Sequence, residues 1–260
     1  TNQFSIGLAP TFNYSSLKLA PNPLSSPSPT LGYPVSDKGT AFGIGAQIGI
    51  FYNSGMGIKL GASYKSPQAF SSFDFENTYL DGSKAPNVKF KMNYPAIISA
   101  GIGYSKYKFD VALDYRFVNY KNTAGFEAKG WTNTASVAGF GWKNISIVSA
   151  GIQYKGIKKF PLRAGYTYSS NPISSELAFF STPATAVIKN AFQFGFGYEF
   201  NNRFNLNAVY HHGTSSGLTS GPLLSPMMTE AGNPYGIVPG SNVSYKMTTD
   251  LVMIGINYSF

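Results

Sequence analysis

Cysteine is absent from the 260 residues, which removes disulfides, thiolate metal sites and cysteine nucleophiles together. Histidine occurs twice, tryptophan twice, and charged residues make up 12% of the chain. No apolar run approaches the roughly 18 to 20 residues that a membrane helix needs. With 43% apolar residues and a mean hydropathy of -0.08, bulk properties alone would describe an ordinary soluble domain. A membrane β-strand, however, needs about 9 to 11 residues with an apolar side chain at every second position, so a barrel hides at average hydropathy. The net charge of +9 is spread singly along the chain rather than gathered in an arginine-rich helix, and a nucleic-acid partner is not expected. The chain starts at Thr1 without an initiator Met or a signal segment, so a removed leader or a missing start is expected.

What is present is aromatic and glycine-rich: 21 Phe, 18 Tyr and 28 Gly favour strands and tight turns. Strict alternation runs through Leu251 to Phe260, with Val252, Ile254, Ile256, Tyr258 and Phe260 on one face. Phe109, Val111, Leu113, Tyr115 and Phe117 alternate with Asp110, Ala112, Asp114 and Arg116, and Phe192 to Phe200 follow the same pattern. Ile58 to Lys65 and Leu162 to Tyr168 do so as well, with weaker versions at 6–14, 44–52, 98–104, 148–154 and 204–210. A period of two with one greasy and one polar face predicts about ten strands of an all-β, antiparallel transmembrane barrel with lipid outside and water inside.

Connections alternate in length. Short turns are expected at Asn53-Ser54-Gly55, Ser105-Lys106, Lys155-Gly156 and Asn201-Asn202, and long loops at 18–40, 67–88, 121–141, 170–188 and 213–242. That is the rhythm of periplasmic turns and extracellular loops in a bacterial outer membrane. It sends Tyr52, Tyr104, Tyr154, Tyr198 and Tyr258 to the periplasmic end and Tyr64 and Tyr168 to the outer end, as two aromatic girdles. Tyrosines in a soluble β-sandwich would account for neither placement nor rhythm. Several loops are more apolar than solvated loops require, notably at Phe70, Phe73, Phe75, Leu177, Phe179, Phe180, Leu223, Leu224, Met227 and Met228. Capture of a greasy ligand and packing of loops on one another both fit this.

Catalytic chemistry is sparse. His211 and His212 are adjacent and so face opposite sides of a strand, without a further His, a Cys or a carboxylate pair at ligand spacing. No metal or cofactor is expected. A rim hydrolase built on His212 would need Asp250 or Ser244 to converge on it. The pairs Gly43-Ile44-Gly45, Gly101-Ile102-Gly103 and Gly195-Phe196-Gly197 lie inside strands with no helix after them, so barrel curvature or close lumenal approach suits them better than phosphate binding. Lys59, Arg116 and Arg163 project to the polar face together with Asp110, Asp114 and Glu199. Such a lumen could hold an anionic headgroup, or its charges could pair internally. Lys143 is the least obviously paired cation.

Gly141-Trp142-Lys143-Asn144, Ser149-Ala150-Gly151-Ile152-Gln153-Tyr154, and Pro161 to Tyr168 followed by Asn171-Pro172-Ile173 resemble the FadL-type long-chain fatty acid transporters. So do Leu60 to Pro67, Tyr94-Pro95-Ala96 and Asp114-Tyr115, in an order and spacing that cover most of the chain. The resemblance implies a fourteen-stranded barrel with an N-terminal hatch, capture of a hydrophobic ligand between outer loops, lateral release and no enzyme activity. The ten visible strands would be the last ten of that barrel in a single domain over 1–260, with hatch and first strands absent and the last strand pairing with a first strand outside this chain. The loops holding Leu24 and Leu31, and Phe70, Phe73 and Phe75, match the two that the family uses for its outer groove. Lys143 matches a position suited to a ligand carboxylate, and Arg163 matches the family's strand arginine. Ile147 stands where some relatives carry a further base. The implied partners are a long-chain fatty acid or similar hydrophobic ligand and outer-membrane lipid and lipopolysaccharide, for a monomer. A general porin or structural barrel is the plainer alternative.

Overall fold

A computed structural model describes residues 3–201 and 203–258. The terminal Phe260 and the turn residue Asn202 lie outside the described residues. Ten long strands form one antiparallel sheet in chain order. They are β1 (Phe4–Leu17), β2 (Gly39–Asn53), β3 (Ile58–Lys65), β4 (Ile97–Lys106), β5 (Phe109–Val118), β6 (Ile145–Tyr154), β7 (Leu162–Ser169), β8 (Asn190–Glu199), β9 (Phe204–Thr214) and β10 (Thr248–Tyr258). Every neighbour follows its predecessor by an up-and-down connection, as expected of a membrane barrel wall. Among the described residues, β1 and β10 pair on one side only.

Register carries the alternation across the whole sheet. Ile50 lies opposite Ala62, Ala62 opposite Ala100, Ala100 opposite Tyr115 and Tyr115 opposite Val148, so one face stays apolar from strand to strand. Ile6, Phe12, Ile98, Phe194 and Ile254 on that face are 52–83% exposed, values that make sense only against lipid. Tyr52, Tyr104, Tyr154, Tyr198 and Tyr258 gather at the short-turn end of this face, and Tyr64 and Tyr168 at the long-loop end, as the alternation predicted.

One expected turn moves. Ser105 and Lys106 are the last residues of β4, cross-paired with Asp110 and Phe109, and the hairpin is closed by Tyr107 and Lys108. Tyr107 adopts a left-handed conformation (φ 52°), which closes a two-residue turn that sequence would sooner assign to glycine or asparagine.

The long loops are ordered rather than irregular. Within 67–88, Phe73–Thr78 and Lys84–Phe90 pair with each other and with Val35–Ser36 in a small three-stranded sheet. A 3-10 turn, Ser175–Ser181, and a short hairpin of Thr219–Gly221 with Val243–Tyr245 complete a cap over the outer end of the barrel. Leu24, Phe73, Phe75, Val137, Leu177, Phe180 and Leu224 come from five different loops and meet in one buried cluster with Ala41 of β2. A second cluster joins Phe140, Trp142, Ile173, Ala178 and Val187. Asparagines pair inside the cap: Asn22 Nδ2 donates to Asn77 Oδ1 (2.8 Å), and Asn77 Nδ2 donates to the Phe75 and Pro86 carbonyls (3.1 and 2.8 Å). Trp142 Nε1 donates to Ser181 Oγ (2.9 Å) and Trp131 Nε1 to the Tyr235 carbonyl (2.9 Å).

Candidate functional site: the lumen and its outer cap

Glycine explains how the lumenal face is built. Behind Lys65, β3 continues as Ala69–Phe70, paired with Ile44 and Gly43 one residue out of register with the rest of the strand. This bulge turns Gln68 into the lumen, where it is 1% exposed. Its amide lies across Gly45 of β2, where a Cβ would collide with it, and reaches β1, accepting hydrogen bonds from Thr11 Oγ1 and from Asn13 Nδ2 (2.9 Å). The Phe70 ring lies on Gly43 in the same way, 2.8 Å from where a Cβ would be. Close lumenal approach is therefore the purpose of the Gly43-Ile44-Gly45 pair. At Gly101 the place of a Cβ is taken by the Asp114 carboxylate.

A similar crossing occurs at Arg163. Its cross-strand partner on β8 is Gly195, which has no side chain, so the guanidinium spans that strand. Nη1 donates to Asn207 Oδ1 on β9 (2.7 Å), and Nε donates to Gln153 Oε1 on β6 (2.6 Å). Gln153 Nε2 donates in turn to Asp110 Oδ2 (3.0 Å), whose other oxygen accepts from Lys155 Nζ (2.8 Å). A hydrogen-bonded belt thus crosses the lumenal face near the short-turn end. Asp110 is satisfied by Lys155, which leaves Arg163 with amide partners and no carboxylate within ion-pair distance among the described residues. Lys59, with Nζ 3.4 Å from Ser105 Oγ, and Arg116, between Ser99 and Ile147, likewise form no salt bridge there. Wholesale internal pairing of the lumenal cations is not what the fold does.

Concavities open on this face among the described residues. One of about 630 Å³ is lined by Gly49, Gly61, Gly101, Gly103, Lys59 and Asp114, where missing side chains hollow the wall. Another of about 370 Å³ has Arg163 beside Gly195, Val209, Met253 and Gly255.

The other predicted positions separate. Lys143 is exposed at the outer entrance to β6, while Arg163 pairs with Gln153 at its far end. Ten residues of strand, roughly 33 Å at 3.3 Å per residue, lie between those levels. One small ligand does not span both, so they belong to successive stations. Leu24, Phe73 and Phe75 are 0–2% exposed in the cap core, so in this structure they are packing residues. Phe70 is half-buried above Gly43, and Leu31 is half-buried in the loop between β1 and β2. Loop packing, not an open greasy surface, is what most of the apolar loop residues accomplish.

A feature that sequence reasoning missed is an outer cleft of about 360 Å³ between two loops, lined by Trp131, Lys129, Thr132, Pro226, Met227 and Pro234. Met227 is 93% exposed. Trp131 and Met227 lie 96 positions apart in the chain, so no local pattern joins them. Burial pushes the Tyr120 hydroxyl above its ordinary range beside Trp142, and pushes Tyr245, whose OH donates to the Ala178 carbonyl (3.0 Å), up to about 12.

The histidines part company. His211 faces the lumen, its Nδ1 3.2 Å from Gln193 Nε2. His212 faces lipid near the outer end, its Nδ1 2.8 Å from Asp250 Oδ1, which also accepts from the Tyr210 hydroxyl (2.5 Å). Asp250 does converge on His212, but Ser244 pairs with Ser220 in the cap hairpin. Among the described residues no serine hydroxyl contacts His212, and the pair sits outside the lumen. Triad geometry is absent there.

The protein family described as outer membrane protein transport protein (OMPP1/FadL/TodX) matches residues 1–259. The Ralstonia pickettii toluene transporter TbuX superposes with a TM-score of 0.60 at 14% identity over 99% of this chain and 64% of its own. A Pseudomonas aeruginosa FadL homologue gives 0.65 at 12% over 98% and 64%, and the Pseudomonas putida toluene transporter TodX gives 0.62 at 16% over 100% and 66%. The chain spans less than two thirds of the length of each of these three. No curated protein sequence matches it. A tyrosine-bounded lipid face, an up-and-down sheet, a glycine-hollowed lumen and the matched residues lead to one assignment: this chain belongs to the OMPP1/FadL/TodX family of outer membrane transport proteins.

Proposed function

We propose that the protein carries hydrophobic small molecules with an anionic head, long-chain fatty acids first among them, across the outer membrane by passive diffusion. The observation that carries this reading is Arg163: a lumenal cation held by two amide oxygens, beside a concavity walled by glycine, Val209 and Met253. Amide acceptors orient a guanidinium without cancelling its charge, so it keeps an attraction for a carboxylate. Ligand enters at the cap, with the mixed polar and apolar Trp131–Met227 cleft, which Lys129 lines, as the capture surface and Lys143 as the cation at the outer entrance to β6. Lys59 and Arg116 extend the cationic path along the lumen.

The test is fatty-acid binding and uptake by the full-length protein. Arg163→Gln should weaken oleate binding by about tenfold, the order of one charge-assisted hydrogen bond lost, and leave binding of a neutral hydrocarbon such as toluene unchanged. Oleate affinity equal to wild type would remove Arg163 from the path. Preference for the neutral hydrocarbon in both proteins would make the cargo an uncharged aromatic, as for the toluene transporters TbuX and TodX. A general porin would instead pass small polar solutes in reconstituted vesicles.

A further inference from the structure

At the short-turn end of the sheet, two turns that are distant in the chain are drawn together by backbone hydrogen bonds. The Gly197 N–H donates to the Pro161 carbonyl (2.9 Å) and the Glu199 N–H to the Lys159 carbonyl (2.9 Å), so the turn after β6 runs on alongside β8 before β7 begins. Lys159 is thereby carried to the turn between β8 and β9, where its Nζ donates to the Phe200 carbonyl (3.3 Å). In that turn Asn201 Oδ1 accepts from the N–H groups of Arg203 and Phe204 (2.9 Å each), which fixes the loop and leaves the amide Nδ2 as a donor. Lys159, Asn201, Arg203 and, from β10, Tyr258 line one concavity of about 520 Å³. Lys159 and Arg203 are exposed, and among the described residues neither forms a salt bridge. Glu199, the acid at the end of β8, falls on the lumenal side by alternation between Tyr198 and Phe200.

The surroundings of this concavity belong to the lipid side of the wall. Phe160, next to Lys159, stacks on Phe196 (ring centroids 5.2 Å apart) and meets Tyr198 edge-on (6.5 Å). Tyr198 meets Phe200 (4.8 Å), and Phe200 meets Phe204 (5.0 Å), whose cross-strand partner is Tyr258. These are outward residues of β8, β9 and β10, so a strip of rings follows the lipid face and ends at the two cations. Phe196, Tyr198, Phe200 and Tyr258 keep 38–56% exposure, surface left for acyl chains to cover. Girdle aromatics mark the height at which hydrocarbon gives way to headgroups. Two cations and an amide donor at that height, at the foot of an apolar strip, are the complement of one phospholipid, with its phosphate at the cations and its chains along the rings. We propose that Lys159, Asn201 and Arg203 form a binding site for a phospholipid of net negative charge, of the phosphatidylglycerol kind, in the leaflet on the short-turn side. A zwitterionic headgroup brings its own cation to a site that already holds two, and gains less there. The bound lipid ties the β6–β7 turn to the β8–β9 turn and to the end of β10.

The experiment places the full-length protein in phosphatidylcholine vesicles containing graded brominated phosphatidylglycerol, with Phe160→Trp as a fluorescent reporter. Both native tryptophans lie in the cap, and their quenching, measured without the reporter, is subtracted. Phosphatidylglycerol should be preferred over phosphatidylcholine at the reporter by at least about tenfold, the order expected of two interfacial cations, and Lys159→Gln/Arg203→Gln should bring the preference close to unity. Lys106→Gln/Lys108→Gln removes equal charge from another short turn and should leave the preference in place. No preference in the parent, survival of the preference in Lys159→Gln/Arg203→Gln, or equal loss in the two double variants overturns the site, the last by tracing it to diffuse charge. Inorganic phosphate that abolished the preference, where sodium chloride of the same ionic strength did not, would make the ligand a free anion and overturn the lipid assignment. Should Phe160→Trp disturb the ring stack, Ile157→Trp on the same turn reads the same lipid. None of these substitutions touches the Arg163 concavity, so oleate binding measured alongside separates a failure here from a failure of the transport reading.

Discussion

The cap and the barrel wall solve the same problem of apolar surface in opposite ways. In the cap, which stands in water, Phe73 and Phe75 are 1% and 0% exposed and packed by side chains from four other loops. In the wall, Phe194 is 59% exposed and Ile254 70%, because lipid chains supply the contact that protein supplies in the cap. An ordinary domain has its core inside its sheet; here the buried core lies in the connections, and the sheet turns its apolar face outward and its glycines inward. The lesson is that exposure has no meaning until the solvent on that side is named.

The sharpest way to break this comparison is to delete one ring from each region. Phe75→Ala should cost about 3–5 kcal/mol of cap stability, since transfer and cavity terms add in a packed core. Phe194→Ala should cost about 1.5–3 kcal/mol, because lipid flows into the space and leaves transfer alone. Both tryptophans, Trp131 and Trp142, are in the cap, so intrinsic fluorescence reports that region. Phe75→Ala should red-shift it and Phe194→Ala should not; equal shifts would erase the distinction between the regions.

A smaller effect separates two lumenal glycines. Gly45→Ala pushes a methyl group into the Gln68 amide that bridges to Thr11 and Asn13, and should destabilise by about 1–3 kcal/mol. Gly255, with nothing within 4 Å of an added Cβ, should accept alanine within about 0.5 kcal/mol. Urea unfolding of the two variants in detergent would show identical midpoints if close approach were not the reason for Gly45.

The mildest perturbation is pH. The Tyr245 hydroxyl titrates near 12 in the folded cap because burial disfavours its anion, against about 10 in an unfolded chain. The folded state therefore holds the proton longer, and this contribution is complete below pH 10 and lost as pH rises toward 12. Trp142 fluorescence should shift within that window in wild type, while Tyr245→Phe shows a smaller change over the same range. A Tyr245→Phe titration identical to wild type would assign the transition to another group.

Much of the wall was legible in the chain. Alternation from Phe109 to Phe117 and from Phe192 to Phe200 assigned lipid and lumen faces correctly, and the sequence of short and long connections put every named girdle tyrosine at its proper end. The ends of the elements were less legible: Ser105 and Lys106 read as a turn because no glycine or asparagine marks Tyr107 as the residue that bends. Within the candidate site, the inward direction of Lys59, Arg116 and Arg163 followed from parity, but their freedom from carboxylates did not, since that depends on Lys155 taking Asp110 first.

What the sequence alone determined, then, is local: a period of two is a property of extended backbone, written in each strand without reference to any other. Tertiary structure decided everything that required two distant segments to meet. It buried Leu24 and Phe75 together, laid Gln68 over Gly45 and Arg163 across β8 to Asn207, and set Lys143 and Arg163 at opposite ends of one strand. Those outcomes depend on register and loop packing, where the energy comes from contacts between residues that composition and spacing do not connect.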